Sequence, residues 1–310
     1  MPSFITHNIF AKEVKASIKP EAKEILNNYN EIYEMASQSF DLLKYSLKKH
    51  KECTNLCKKC HRINVNKYFE ELVNIAKIEN NDELNAFIFG SILHQILDAT
   101  MHPYIVYKTG IYNHKPETLK YYGLHSLMET QYDLFTYQRY YQKVLINHNI
   151  KKEFIPFLKV KKATIASINQ VFLNMYNFNG GIYLFYGYKC ARRYMNLIRR
   201  PNILNGIYYA IPKNKSLRNY LYSKNNISYN FLNVNHRKWV YPSDNTIVKT
   251  DSMIDLYNNA LTDGINAINA CYDVIYNKKS IKPLLKIIGN KGYIRGTDCN
   301  TLNPIKYFEF

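Results

Sequence analysis

Two stretches of this sequence place metal-competent side chains at intervals of four. One is His94-Gln-Ile-Leu-Asp98-Ala-Thr-Met-His102, and the other is His125-Ser-Leu-Met-Glu129-Thr-Gln-Tyr-Asp133. Residues four apart on an α-helix lie on one face, about a turn apart. Each stretch therefore forms a stripe of imidazole and carboxylate groups. Two facing helices with such stripes are a common way to build a polynuclear site in a bundle interior. The donor set suits zinc or another first-row divalent ion. A single His/Asp pair at this spacing is more often an ordinary satisfied polar contact than a metal site. The first stripe carries more weight because its helix is apolar nearly all round. A buried Asp98 between Leu97 and Ala99 needs a strong partner, and a metal supplies one.

A third feature is Cys57-Lys-Lys-Cys60-His61. It matches the C-x-x-C-H pattern of covalent haem attachment. With Cys53 it is also compatible with a Cys3His zinc site or a labile disulfide, or with cysteines that are incidental beside a ligand histidine. Cys190, Cys271 and Cys299 read as packing residues. Asn179-Gly180-Gly181 reads as a turn, since no Lys-Ser/Thr follows to make a phosphate cradle. Arg192-Arg193 and Arg199-Arg200 read as solvated pairs, and His50, His114 and His148 as exposed. The single tryptophan, Trp239, is expected to anchor a loop-rich region onto the core.

The elements that must position these groups are helical. Apolar spacing predicts one or two amphipathic helices over 22–49, another over 66–78, and a buried helix over 83–102 capped by Asp82 and stopped or bent by Pro103. Further helices are predicted over 116–143, 160–178 and 183–198, and a last long one over about 252–277 capped by Asp251. Residues 200–250 are rich in Pro and Asn and read as loops. Strands for an α/β sheet are missing, so the expected fold is all-α. A single multi-helix domain over 1–310 is expected, with the metal-site core in 1–145 and a helical and loop region in 146–310.

Composition narrows the partners. The 310 residues carry 42 Lys+Arg against 24 Asp+Glu, a net charge of +18. Such a balance suits an anionic partner, although the basic residues are scattered and form no nucleic-acid arm. No apolar run approaches the ~18–20 residues needed to span a membrane. The N-terminus lacks the pattern of a secretory signal, and six cysteines make no disulfide framework. A cytoplasmic location is the expectation.

At this point the motifs resemble a family, the bacterial zinc-dependent phospholipases C, which are related to the P1/S1-type zinc nucleases. The opening MPSFITHNIFAKEV, the core GSILHQILDATMHPYIVYKTG and the helix HSLMETQYD carry the likeness, and FLNVNHRKWVYPSDNTIVKTDSMIDLYNNAL adds to it near the far end. The resemblance implies an all-helical fold around two or three zinc ions. It implies that His94 and Asp98 are ligands, with Asp98 bridging. It implies that His102, His125 and Glu129 serve the second and third ions, and that His7 is the N-terminal histidine ligand. By the same likeness His61 is a ligand, and Asp41 is a ligand carboxylate that orients or deprotonates the attacking water. Asp133 would orient a ligand from behind. Pro2, after loss of Met1, would stand where secreted relatives offer a free amine. The family's Gly-Pro-Asp has become Ser39-Phe40-Asp41 here.

The function implied is a zinc-dependent phosphoester hydrolase, phospholipase C-like, acting on a phospholipid headgroup or another phosphodiester with peripheral contact to an anionic membrane. The alternative, motivated by the altered Asp41 segment, is a catalytically inactive zinc-binding regulatory protein of the same fold. A nucleic-acid binder with an incidental metal is a third, less favoured reading.

Overall fold

The computed structural model describes residues 4–143, 153–198, 229–301 and 303–309. Pro2, His148, the Arg199-Arg200 pair and most of the 200–250 stretch lie outside the described residues. The elements are helical, as expected. They run α1 (Phe4–Ser17), α2 (Pro20–Asn28), α3 (Asn30–Ala36), α4 (His50–Cys60), α5 (Val65–Glu79), α6 (Asp82–Thr109), α7 (Leu124–Tyr141), α8 (Lys162–Tyr176), α9 (Gly180–Ile198), α10 (Met253–Tyr276) and α11 (Lys282–Ile288). Two 3-10 turns matter for the site, Ser39–Tyr45 and Pro116–Tyr121. A two-stranded antiparallel hairpin joins β1 (Trp239–Tyr241) to β2 (Asp244–Lys249), with Trp239 opposite Lys249.

Helix α6 is the axis of the fold. Its residues from Glu83 to Ala99 are buried, and it packs most extensively against α3 and α10. Each fully buried Phe or Leu there, such as Phe87 and Leu93, contributes roughly 1.5–3 kcal/mol of hydrophobic burial. One contiguous core reaches from Phe4 in α1 to Cys299 near the far end of the chain. Close helix contact needs a small residue. A Cβ on Gly90 would lie 2.2 Å from the Tyr33 carbonyl oxygen, so α6 and α3 touch backbone to backbone. Trp239 is buried, as expected. Its indole Nε1 donates to the Asp251 carbonyl at 3.1 Å, and its ring packs on Tyr104 of α6 at 5.1 Å.

Several boundaries differ from those expected. The 22–49 stretch breaks at Tyr29, which leaves helical geometry at φ −128° and ψ 39°, and then tightens into the 3-10 turn that carries Asp41. Asn81, not Asp82, caps α6, accepting from the backbone N–H of Glu83 and Leu84. Ser252, not Asp251, caps α10, in a reciprocal box with Asp255. Helix α7 starts only after Gly123, because Pro116–Tyr121 is 3-10 and Gly123 turns left-handed. Pro103 does not stop α6, which continues to Thr109. The proline lacks the N–H that would serve the Ala99 carbonyl. Gly296 fills in against that spot, since a Cβ there would lie 2.5 Å from the Ala99 oxygen and 2.6 Å from the Pro103 ring. Gly180 and Gly181 begin α9 rather than separating it from α8.

The turn holding Asp41 depends on one glycine. A Cβ on Gly187 of α9 would sit 1.9 Å from the Leu42 carbonyl oxygen, and a backbone atom cannot rotate away. Gly187→Ala should therefore cost about 1–3 kcal/mol of stability by overpacking, against the gain that alanine normally brings to a helix. Urea unfolding monitored by circular dichroism checks this, and a stabilised variant would contradict the contact.

Candidate metal centre

Helix α6 presents His94, Asp98 and His102 along one stripe, and Asp98 is the point on which the others converge. Its Oδ1 lies 3.1 Å from His7 Nε2 of α1 and 3.4 Å from His102 Nδ1. Its Oδ2 lies 3.2 Å from His94 Nε2. Asp41, on the 3-10 turn, completes one side. Its Oδ1 lies 3.5 Å from His61 Nε2 and its Oδ2 3.8 Å from His94 Nε2. Asp41, His61, His94 and Asp98 are all buried, with one donor atom from each within 4.8 Å of the others. A second group, His102, His125 and Glu129, meets the same limit between α6 and α7. Glu129 Oε1 lies 3.0 Å from His125 Nε2 and 3.3 Å from His102 Nε2. The His102 and His125 rings stack at 5.4 Å.

The hydrogen bonds behind these rings fix their chemistry. His61 Nδ1 lies 2.7 Å from the Cys57 carbonyl, and His102 Nδ1 lies 3.2 Å from the Asp98 carbonyl, each one turn back on its own helix. A carbonyl only accepts, so each Nδ1 must carry the proton and donate it. That leaves Nε2 as a lone pair. It points toward Asp41 in one case and Glu129 in the other. This is how a protein orients an imidazole toward a metal. His94 Nδ1 and His7 Nδ1 have no hydrogen-bond partner, and His94 Nε2 and His61 Nε2 face carboxylate oxygens. Buried polar atoms left so are rare and costly. Lone pairs facing carboxylates require a cation or a proton between them. The residues present therefore fit a metal: nitrogen and carboxylate donors, buried, with the second ring nitrogens of His61 and His102 already tied.

Without a metal, protons and one lysine carry that role. Burial alone would push the Asp98 carboxyl up, yet His102 and His94 hold it well below the usual carboxylate range. Burial opposes the Asp41 anion too, but the Lys44 ammonium, with His94 and His61, pulls it well below normal. Lys44 Nζ forms an ion pair with Asp41 Oδ1. It lies three residues on, and a 3-10 turn eclipses i and i+3. Burial disfavours the His94 cation, but Asp98 and Asp41 raise its pKa to about 9. His61 goes the other way, down to about 4, because burial outweighs the Asp41 charge.

The C-x-x-C-H string resolves differently from its rivals. The six cysteines are free, and the three nearby thiols diverge. Cys53 Sγ faces the Lys48 carbonyl at 3.7 Å, while Cys57 Sγ lies 3.7 Å from Asp41 Oδ1 and 3.6 Å from His61 Nδ1. Cys60 is buried beside Tyr176. No thiol belongs to a metal-competent group among the described residues, so neither the Cys3His reading nor a disulfide is supported. Asp133 acts on backbone. It accepts from Thr6 N–H at 2.8 Å and Thr6 Oγ1 at 2.7 Å, which secures the first turn of α1 just before His7. His50 and His114 are exposed, as expected.

Three features of the site were not foreseen. Lys44 stood in the sequence at i+3 from Asp41 and was legible there. The Tyr293 ring packs against His61 at 4.6 Å and His94 at 5.1 Å, and it comes from nearly two hundred residues further on. A pocket of about 450 Å³ opens beside the site, bordered by His61 from the first group and His125 from the second. No local signal announces either of the last two.

Zinc must displace protons to enter. Asp41 and Asp98 are already ionised and His61 is neutral above about pH 4, so the proton to be lost above neutrality belongs to His94. Zinc affinity of the metal-free protein should therefore rise with pH from neutrality and level off above about 9. Titration against a competing chelator measures this, and an affinity independent of pH would contradict it.

The comparison with curated proteins found no match, and the comparison with solved structures found none. The comparison with protein families did. The family described as zinc dependent phospholipase C matches residues 6–178. That span is more than half of the chain and holds every candidate ligand from His7 to Glu129. The chain belongs to the zinc-dependent phospholipase C family.

Proposed function

We propose that this protein is a zinc-dependent phosphoester hydrolase of the phospholipase C type, and that its centre holds two or three ions. Asp41, His61, His94 and Asp98 would hold one. His102, His125 and Glu129 would hold another, with Asp98 between the groups and His7 completing its surroundings. The observation that carries this reading is the convergence of His7, His94 and His102 on one buried carboxylate that also borders the Asp41 side. Zinc in such a site supplies Lewis acidity toward phosphoryl oxygens and brings the pKa of water toward ~7.

The chain's own residues do the rest. Asp41, kept ionised, accepts a hydrogen bond from an incoming water and orients it. The Nδ1–H bonds of His61 and His102 fix the ring orientations and aim both Nε2 atoms. Tyr293 and Phe40 cover the first group and exclude bulk water from it, with both side chains fully buried. The substrate enters through the pocket bordered by His61 and His125. Among the described residues no helix is long and apolar enough to cross a membrane, so contact with lipid would be peripheral.

One observation favours a second reading, a zinc-stabilised regulatory protein without turnover. Asp41 is already neutralised by Lys44, within a Ser39-Phe40-Asp41 segment that departs from the family's pattern. Zinc-dependent turnover of a phosphodiester removes this reading.

Elemental analysis of the purified protein should give two or three zinc per chain. In Asp98→Asn the zinc content should collapse, and hydrolysis should fall by more than the roughly 10–100-fold typical of changes behind a ligand. An Asp98→Asn protein with full zinc content and full activity would overturn the assignment.

A further inference from the structure

The pocket beside the centre has a charge character of its own. Arg62 and Arg295 line it, and no aspartate or glutamate does. Neither guanidinium makes an ion pair among the described residues. Arg62 is exposed at the turn between α4 and α5. Arg295 is half-buried, and its Nη1 donates to the Thr301 carbonyl at 3.3 Å. An unpaired guanidinium at a pocket wall presents a planar fork of donors that matches phosphate or carboxylate oxygens.

Both arginines are held by structure rather than left on loose loops. Arg295 sits at the tip of a closed hook over residues 290–299. Cys299 N–H bonds the Asn290 carbonyl at 2.9 Å, Gly292 N–H bonds the Thr297 carbonyl at 2.9 Å, and Gly296 N–H bonds the Gly292 carbonyl at 2.9 Å. Asn290 and Asn66 exchange backbone-to-side-chain hydrogen bonds at 2.9 and 3.2 Å, which clamps the hook to the start of α5. Tyr293 N–H then bonds the carbonyl of His61, the residue before Arg62, at 3.0 Å. One backbone hydrogen bond thus ties together the two segments that carry the guanidiniums, next to a candidate ligand.

Tyr112, Tyr121 and Tyr122 also line the pocket, and tyrosine rings can hold a quaternary ammonium group. Here that use is opposed. The Tyr121 ring already has the Lys120 ammonium 4.9 Å from its centre, and Tyr112 packs edge-on against Tyr122 at 4.8 Å. Two unpaired guanidiniums repel a third cation and attract an anion.

We propose that this pocket selects a small phosphorylated, anionic headgroup, with Arg62 and Arg295 as its specificity-determining residues. The substrate then carries at least one negative charge beyond the scissile phosphodiester, and a cationic choline headgroup is disfavoured. The proposal rests on the hydrolase reading for its place in catalysis, but binding can be measured without turnover. The hook that carries Arg295 lies beyond residues 6–178, whereas Arg62 lies within them, so the pocket joins the matched span to a later segment.

Titration calorimetry on the full-length protein, with inositol 1,4-bisphosphate and with phosphocholine as probes, tests it. The bisphosphate should bind at least tenfold more tightly, tenfold being about 1.4 kcal/mol. R62Q/R295Q should abolish that preference while zinc content and unfolding midpoint stay at the wild-type values. R193Q, at an exposed arginine of α9, should keep the preference and so excludes a mere effect of net charge. Phosphocholine binding as tightly as the bisphosphate, or a preference that survives in R62Q/R295Q, would overturn the proposal. Parallel assays with short-chain phosphatidylcholine and phosphatidylinositol 4-phosphate separate the two claims. Bisphosphate binding without hydrolysis of either lipid sinks the hydrolase reading and leaves the pocket standing. Hydrolysis that favours phosphatidylcholine does the reverse.

Discussion

A single buried carboxylate organises this protein. Asp98 lies in the middle of its most apolar helix, with His7, His94 and His102 around it. A carboxylate in such surroundings is costly unless it is charge-paired and hydrogen-bonded. The chain answers with imidazoles from two helices, and each imidazole then needs its own support. His61 and His102 find it in backbone carbonyls one turn back, and His7 in an α1 N-terminus fastened by Asp133. The site is therefore a nested set of constraints in which each group is held by another. It closes on a cation or, in its absence, on the proton held by His94 and on Lys44.

The scaffold around α6 follows from that need. The helix runs on past Pro103 to Thr109, and the Ala99 carbonyl freed by the proline is met by the Gly296 turn. Gly187 brings α9 onto the backbone of Leu42 and so sets the turn that carries Asp41. These contacts lie on small residues because backbone meets backbone there, and interiors packed at crystal density leave no room for a methyl group. Packing and chemistry are thus coupled at the same few positions.

The far end of the chain is part of the centre rather than an appendage. Tyr293 covers His61 and His94, the hook over 290–299 walls the pocket, and Trp239 fastens the hairpin to α6. Residues 6–178 supply the metal-competent groups, and later segments shape the space in front of them. Metal-competent groups on one span with a pocket walled partly by later segments are a natural division, because donor geometry places reacting groups and pocket walls select what binds.

The sequence alone determined whatever depends on local spacing. The all-helical class, the His94-Asp98-His102 stripe, the His125-Glu129 pair and the burial of Trp239 were all legible, since a period of 3.6 residues converts sequence distance directly into a shared face. Helix boundaries were less so. Asn81 and Ser252 cap in place of the expected Asp82 and Asp251, and Pro103 passes through a helix that tertiary contact sustains. The grouping of donors was beyond any local rule. That His7 and His94 share Asp98, that Asp41 joins His61 and His94 while His102 joins Glu129, and that Cys57 faces Asp41 without joining the other thiols all depend on helices far apart in the chain. Only the packed fold decides those distances, because no periodicity within one helix fixes how it stands against another.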